Sequence, residues 1–350
     1  MISTRAERRA RLEPLLDSAR SLLDAASPRG ERARARLLES TELSREGLDF
    51  ALKRCLEANP SEAELEALLD SIAEAPRAHV LLSANVFVAA HRAIALALAA
   101  SPSVFVRASR REPVMAELLL DGASGSFELT PELAPRTGDQ LWAYGSDETL
   151  REVARTLAPG VSLHAHGTGF GIGVIDGALA DAELETRLAK FAEDIALFDQ
   201  RGCLSPRALL VQGNGACAFD LARELAARMT ALESAIPRGR LSADESAEIT
   251  RYRENAAFCG ELFAAGSGFV SLGSEFVLAP IGRNVHVLAV TAPVRTLTPF
   301  AEFITTYAVE GKPELRAALA EALPGARACA FGDMQTPPFD GPVDRRARRF

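Results

Sequence analysis

The chain has 350 residues, with 39 Lys and Arg against 47 Asp and Glu for a formal charge of −8. A composition of 48% hydrophobic and 25% charged residues matches ordinary globular proteins with a sizeable core and excludes a disordered, collagenous or small disulfide-stapled chain. The acidic balance offers no general attraction for phosphate backbones or anionic membranes, so nucleic acid is not an expected partner.

Five cysteines, Cys55, Cys203, Cys217, Cys259 and Cys329, are an odd set without CxxC spacing and fit neither a full disulfide framework nor a zinc knuckle. The N-terminus, MISTRAERRARLEPLL, lacks the apolar run of a secretory signal. The longest apolar stretch, Ala89–Ala100, contains His91 and Arg92 and is too short to span a bilayer. A cytoplasmic protein with reduced thiols and no integral membrane segment is expected.

In chain order, the first 77 residues read as a helical preface. Leu12, Leu15, Leu16, Ala19, Leu22 and Leu23 form an apolar stripe at helical spacing. Breaks are expected at Pro28-Arg29-Gly30 and Asn59-Pro60, and Ser61 with Glu64 forms a capping box that opens another helix. From His79, β-type runs alternate with helical segments. Strands are predicted at His79–Leu82, Val104–Arg107, Leu141–Tyr144, Val161–His164 and Gly173–Asp176, with helices at Ala89–Ala100, Pro113–Leu120 and Asp147–Leu157 between them. Such alternation predicts parallel βαβ units. A helix over Asp181–Leu197 leads to a second α/β region. Its predicted strands are Ala208–Gln212, Phe276–Leu278, Val285–Val290, Phe303–Ala308 and Ala326–Phe331, and its helices are Ala218–Ser234, Ser242–Phe263 and Pro313–Leu323. The tail from Thr336, rich in Pro, Asp and Arg, reads as an irregular arm.

The segment Phe198-Asp-Gln-Arg-Gly-Cys203-Leu-Ser-Pro-Arg207 puts a cysteine between a long helix and a strand. Gly202 permits close backbone approach, and Arg201 and Arg207 would favour the thiolate. From the residues alone, Cys203 is either a nucleophile or a small packing residue. The glycine run Gly167-Thr-Gly169-Phe-Gly171-Ile-Gly173 leads into an apolar strand, whereas a dinucleotide fingerprint leads into a helix. The other four cysteines read as packing residues. His79, His91, His164 and His286 lie in apolar surroundings without paired carboxylates, so no metal site is expected.

The pattern Asp199-Gln200-x-x-Cys203-x-Ser205-Pro206 resembles the nucleophile segment of the aldehyde dehydrogenase superfamily. Within it, the closest likeness is to acyl-CoA reductases of the bacterial bioluminescence fatty-acid reductase (LuxC) type. Ser83-Ala-Asn85-Val86, the helix His91–Ala100 and the run Ser103–Arg110 resemble the superfamily's asparagine loop, its helix, and the strand ending in a Lys-Pro-Ser-Glu type motif. Trp142-Ala-Tyr-Gly145-Ser146-Asp-Glu-Thr-Leu150 resembles the reductases' Gly-Gly-Asp-Asp-Thr-Ile type turn. His166-Gly167, the terminal Pro338-Phe339-Asp340-Gly341 and the helical stretch Thr41–Leu69 are similar to the same family, in the same order along nearly the whole chain.

The resemblance implies an aldehyde-dehydrogenase-like α/β fold of two Rossmann-like domains with a helical N-terminal region. Its expected divisions are 1–177 for the helical region and cofactor domain, 178–332 for the catalytic cysteine domain and 333–350 for the tail. It implies NADPH-dependent reduction of an acyl thioester, acyl-CoA first, to an aldehyde. Cys203 would be the nucleophile, and the Asn85 amide with the Cys203 N–H would face the carbonyl oxygen. Arg107 would reach the adenosine ribose, with Ser109 beside it. Arg110 stands where an acid often selects NADH, so a 2′-phosphate would meet positive charge. Gly145 and Ser146 would approach the pyrophosphate. Ala165 takes the place of the glutamate that activates water in ordinary aldehyde dehydrogenases, and neighbouring His166 is either a proton relay or a structural histidine.

Without the resemblance, Asn85 is a loop or cap residue, the arginines are a solvated cluster, and Gly145-Ser146 is a strand-to-helix turn. Reduction of an acyl phosphate, in the manner of glutamyl-phosphate reductase, and a non-catalytic nucleotide- or acyl-binding relative remain as alternatives. An acyl-activating or acyl-carrier protein and a second copy of the chain, as a homo-oligomer, are the candidate protein partners.

Overall fold

The computed structural model describes residues 3–177 and 183–346. It opens with α1 (Arg5–Leu23), α2 (Pro28–Ser40), α3 (Arg45–Cys55) and α4 (Glu62–Ser71). Each starts at a Thr or Ser, namely Thr4, Ser27, Ser44 and Ser61, whose hydroxyl accepts a main-chain N–H one turn on. Such caps satisfy donors that a helix start leaves unpaired and are each worth about 1 kcal/mol. The expected break at Pro28 is in fact the first turn of α2, because proline there gives up an N–H that has no helical partner. Leu12, Leu15, Leu16, Ala19 and Leu22 are buried, and α1 packs on α5 (Ala89–Ala100) and α6 (Val114–Gly122).

The first sheet holds β1 (Ala78–Leu81), β2 (Val104–Arg107), β3 (Glu128–Leu129), β4 (Gln140–Tyr144) and β5 (Ser162–His166). Its order is β3-β2-β1-β4-β5, parallel throughout. The crossover α5 is buried on nearly every residue, between the sheet and α1, which explains its all-round apolar sequence. The helix α7 (Asp147–Thr156) connects β4 to β5. From β1 the chain moves one way across the sheet and from β4 the other, so the loops leaving these two neighbours diverge. A crevice opens there at the carboxyl ends of the strands, the position where open α/β sheets bind ligands.

The second sheet holds β6 (Phe170–Asp176), β7 (Pro206–Gln212), β8 (Glu261–Ala265), β9 (Gly268–Gly273), β10 (Asn284–Val290), β11 (Ile304–Glu310) and β12 (Arg327–Cys329), ordered β12-β11-β6-β7-β10-β9-β8. Only the β8–β9 hairpin is antiparallel. Its helices are α8 (Leu184–Ala196), α9 (Gly215–Glu233), α10 (Ala243–Cys259), α11 (Pro293–Leu297) and α12 (Pro313–Ala322). Strand β6, placed before residue 177 in the expected division, pairs with β7 and β11, so the chain passes between sheets at residues 167–169. The first residues of the predicted helix Asp181–Leu197, and the start of the division at 178, lie outside the described residues.

Several expectations change. The predicted strand Phe276–Leu278 is a loop; Phe276 serves the core by packing on Phe300, with ring centroids 4.6 Å apart. The hairpin β8–β9 supplies strands there instead. The predicted helix Ser242–Phe263 stops at Cys259, because Gly260 passes so close to the Leu272 carbonyl that any Cβ would collide with it. The glycines of β6 are likewise packing positions: a Cβ on Gly173 would lie 2.6 Å from the Phe191 ring. None of the five cysteines is in a disulfide, and Cys259 is exposed rather than packed. His79 does have a carboxylate beside it, with Nε2 3.2 Å from Asp139.

Candidate active site

Cys203 sits in the turn between α8 and β7. The preceding residues Phe198, Asp199 and Gln200 all have left-handed backbones, with φ of 54°, 48° and 65°. For residues with a Cβ this conformation costs about 1–2 kcal/mol each, so the surroundings must hold it. The Gln200 amide donates to the carbonyls of Pro206 and Asn284, both at 2.7 Å, and its oxygen accepts the Asn284 N–H at 2.7 Å. The Asp199 carboxylate accepts from Arg283 at 2.8 Å and from the Gly239 N–H at 3.0 Å. Phe198 packs edge-on against Phe87, with centroids 5.9 Å apart. Ser205 closes the turn by donating its N–H to the Gly202 carbonyl at 3.1 Å. Leu204, Ser205 and Pro206 are buried while Cys203 is exposed.

The thiol therefore lies at the amino end of β7. A Cβ on Gly202 would be 3.0 Å from the Val86 side chain, so the loop leaving β1 rests on this turn. Asn85 and Cys203 are thus carried on adjoining loops, where the carboxyl edge of the first sheet meets the amino edge of the second. The expected help from Arg201 and Arg207 is not seen. Arg201 is paired with Glu245 at 2.8 Å, and Arg207 donates to the Ala279 carbonyl.

Asn85 is exposed, and its Oδ1 accepts from Arg111 at 3.1 Å, which leaves the NH2 end as the available donor. Ser109 accepts the Arg111 N–H at 3.3 Å. Arg107, at the end of β2, and Arg110 are exposed, and neither makes a side-chain hydrogen bond or ion pair among the described residues. Three guanidiniums thus border the crevice. On the other side, the Gly145 N–H donates to the His166 carbonyl at 3.2 Å, and Ser146 caps α7 by accepting the Thr149 N–H at 3.2 Å. Asp147 and Glu148 occupy the first turn of α7. The arginine side fits the phosphorylated adenosine end of a dinucleotide. The start of α7, with one N–H used, its cap filled and two carboxylates, is a poor seat for a pyrophosphate.

His166 pairs across β5 with Tyr144 of β4, and the rings stack at 4.5 Å; His164 stacks on Trp142 at 3.9 Å. Burial pushes the His166 pKa down to about 4, with Asp344 pulling up and His164 and Arg346 pushing down. Its Nε2 is buried without a hydrogen-bond partner, so the ring is a neutral imidazole near pH 7. Tyr144 was not singled out from sequence, although it lies directly before Gly145. Burial raises its hydroxyl pKa most; Arg92 opposes, while Asp344, Cys203 and Glu57 raise it further.

The C-terminal arm is tied back onto α5 and onto the segment before β6. Arg92 of α5 donates to the carbonyls of Pro337, Pro338 and Gly341, each at 2.8 Å, while also paired with Glu57. Its guanidinium lies 5.3 Å from the Phe339 ring centroid. Further along, Arg346 donates to the carbonyls of Thr168 and Glu302 at 3.2 and 3.0 Å.

The family model described as acyl-CoA reductase (LuxC) matches residues 124–344, more than half of the chain. The chain belongs to the acyl-CoA reductase (LuxC) family. The matched range contains Gly145, Ser146, His166 and Cys203, whereas Asn85, Arg107, Ser109 and Arg110 precede it. Among solved structures, an oxidoreductase from Marinobacter aquaeolei superposes with a TM-score of 0.73 at 14% identity, covering 96% of this chain and 80% of that one. Lactaldehyde dehydrogenase from Escherichia coli gives 0.68 at 14% identity, covering 93% and 78%. The NADP-dependent glyceraldehyde-3-phosphate dehydrogenase from Bacillus halodurans C-125, complexed with NADP, gives 0.66 at 14% identity, covering 94% and 79%. At this identity the superpositions show the fold, which is that of the aldehyde dehydrogenases. No curated protein sequence matches the chain.

The family and fold expected from the motifs are thereby borne out: this is an enzyme, an acyl reductase within the oxidoreductases. No helix among the described residues is long and apolar enough to cross a membrane. No group of three or more His, Cys, Asp or Glu among them is arranged to hold a metal ion.

Proposed function

We propose that this acyl-CoA reductase family member converts an acyl thioester, acyl-CoA in the first instance, to the aldehyde with NADPH through an acyl-enzyme on Cys203. The supporting observation is the placement of Cys203: an exposed thiol on a turn whose left-handed approach is fixed by buried polar bonds, against the loop that carries Asn85. The Cys203 thiolate attacks the thioester carbonyl carbon, the bond from that carbon to the CoA sulfur breaks, and CoA leaves as its thiolate. Negative charge gathers on the carbonyl oxygen in this step and again in the reduction, where the Asn85 NH2 and the Cys203 N–H are the donors to meet it. Arg107, Ser109 and Arg110 would hold a reduced nicotinamide dinucleotide at the crevice, and its chemistry there would be delivery of hydride to the tethered carbonyl. The carbon–Cys203 bond then breaks, giving aldehyde and regenerating the thiolate.

His166 serves this chemistry as a neutral ring, because its lowered pKa leaves little imidazolium near pH 7. Its role in this reading is to orient Tyr144 and to hold a hydrogen bond at the aldehyde oxygen or departing sulfur. Choice of NADPH is supported by Arg107, Ser109 and Arg110 beside the crevice: a 2′-phosphate finds cations there, and no carboxylate replaces them at the end of β2. Gly145 and Ser146 approach the dinucleotide through the rim they form, with less electrostatic help than the family motif suggests.

The test is intact-mass spectrometry after incubation with a panel of acyl-CoAs. Wild type should gain one acyl group at Cys203 and lose it when NADPH is added, while Cys203→Ala gains none. Aldehyde formed by Cys203→Ala at the wild-type rate would end this reading.

A further inference from the structure

Asp194 of α8 is completely buried, and no Lys, Arg or His lies within ion-pair distance of its carboxylate among the described residues. Its two oxygens are spent on one segment: Oδ2 accepts the Gly332 N–H at 2.7 Å and Oδ1 accepts the Met334 N–H at 3.1 Å. A carboxylate is the side chain that offers two acceptors and no donor, so it alone matches two converging N–H groups. An asparagine would turn its NH2 toward one of them.

The next residue, Gln335, is 5% exposed and carries this fixing onward. Its Nε2 donates to Ser205 Oγ at 2.8 Å. Ser205 closes the Cys203 turn on Gly202, and its carbonyl accepts the Gly171 N–H of β6 at 2.8 Å. Gln335 Oε1 lies 3.6 Å from where a Gly202 Cβ would be. The side chain therefore touches both ends of the turn that presents the thiol.

We propose that Asp194 and Gln335 act in series as positioning residues for Cys203, Asp194 by fixing the 332–335 segment and Gln335 by transmitting that fixing to Ser205. This rests on the reading of Cys203 as the nucleophile. The same geometry makes the positioning depend on pH. Burial raises the Asp194 pKa to about 7 against the pull of the Gly332 and Met334 N–H groups; Asp333 raises it and Arg327 lowers it. Around it stand Cys55 of α3 and Cys329 and Arg327 of β12, and Arg54 of α3 donates to the Gly332 carbonyl at 2.9 Å. Protonation places a hydrogen on an oxygen that must accept, so the segment is held best above about pH 7.

The experiment measures the rate at which acyl-CoA acylates Cys203, divided at each pH by the rate of iodoacetamide alkylation at Cys203 read by peptide mapping. The division removes the thiol's own ionisation. For wild type this ratio should fall as the pH drops below about 7. Asp194→Asn and Gln335→Leu should each lower it about tenfold to a hundredfold at pH 8, the scale of a small misplacement. Both should be flat with pH, and the double variant should be no worse than the poorer single one. Wild-type ratios in either variant, a multiplied loss in the double variant, or a pH-independent wild-type ratio would overturn the proposal. Should Asp194→Asn fail to fold, Gln335→Leu and the wild-type profile decide. Failure of the nucleophile reading itself is distinguishable, because Cys203→Ala would then still form aldehyde at the wild-type rate.

Discussion

Arg110 carries the cofactor question on one side chain. It is exposed and without a side-chain partner among the described residues, beside Arg107 and the Asn85–Arg111 pair. A guanidinium there gains a charge-assisted bond to a 2′-phosphate, whereas a carboxylate repels it and can instead accept from ribose hydroxyls. Arg110→Glu should therefore raise the KM for NADPH by about tenfold or more, equivalent to about 1.4 kcal/mol, and lower the preference for NADPH over NADH. Steady-state kinetics with both cofactors checks this, and an unchanged preference would remove Arg110 from the site. Such residues were reached through resemblance: the order of the motifs implied roles for Cys203, Asn85 and the arginines that their spacing alone left open. What spacing could not supply was direction. Arg201 and Arg207 flank Cys203 in sequence, yet their charges are committed to Glu245 and to a main-chain carbonyl. Tyr144 and His166 are distant in sequence and became neighbours only through the register of β4 and β5.

At the scale of elements, the segment before Cys203 shows a limit of local reading. Left-handed backbone is ordinarily announced by glycine or asparagine, and Phe198-Asp199-Gln200 contains neither. Its conformation is imposed by tertiary bonds, above all the three made by Gln200 to Pro206 and Asn284. Gln200→Ala would leave the buried Asn284 N–H and two carbonyls unpaired and release a strained turn. Losing such buried bonds costs on the order of 3 kcal/mol. Denaturant unfolding should show that loss, and Cys203 acylation should slow more than stability alone accounts for. Wild-type stability would mean that other contacts hold the turn. The parallel strands, by contrast, were legible because β-branched and apolar runs sit between recognisable helices. The β8–β9 hairpin was not, since its Glu261–Ala265 strand continues the composition of α10, and only the approach of Gly260 to Leu272 separates them.

Across the whole molecule, the loop leaving β1 rests on the turn before β7 and the C-terminal arm is drawn back over α5 by Arg92. That closure buries groups which prefer to stay uncharged. His91 is fully buried beside Phe339, with both ring nitrogens lacking hydrogen-bond partners, and burial, helped by the neighbouring Arg92 charge, pushes its pKa to about 3. In the unfolded chain a histidine takes up its proton near pH 6.5. Between there and about pH 3 the unfolded state binds more protons than the folded one, so this contribution to stability is present above pH 6.5 and is lost as the pH falls. His166, lowered to about 4, acts in the same direction over a narrower window. Asp194 acts in the opposite direction: its raised pKa favours the folded state at low pH and is a cost above about 7, where its carboxylate is best suited to hold the segment beside Cys203. Replacing His91 isolates one of these opposing terms. His91→Leu keeps an apolar side chain against Phe339 and removes the titrating ring. Chemical unfolding at pH 7.5 and at pH 4.5 should show the variant losing less stability between the two than wild type does. Equal losses would show that His91 is not buried as a neutral ring beneath the arm.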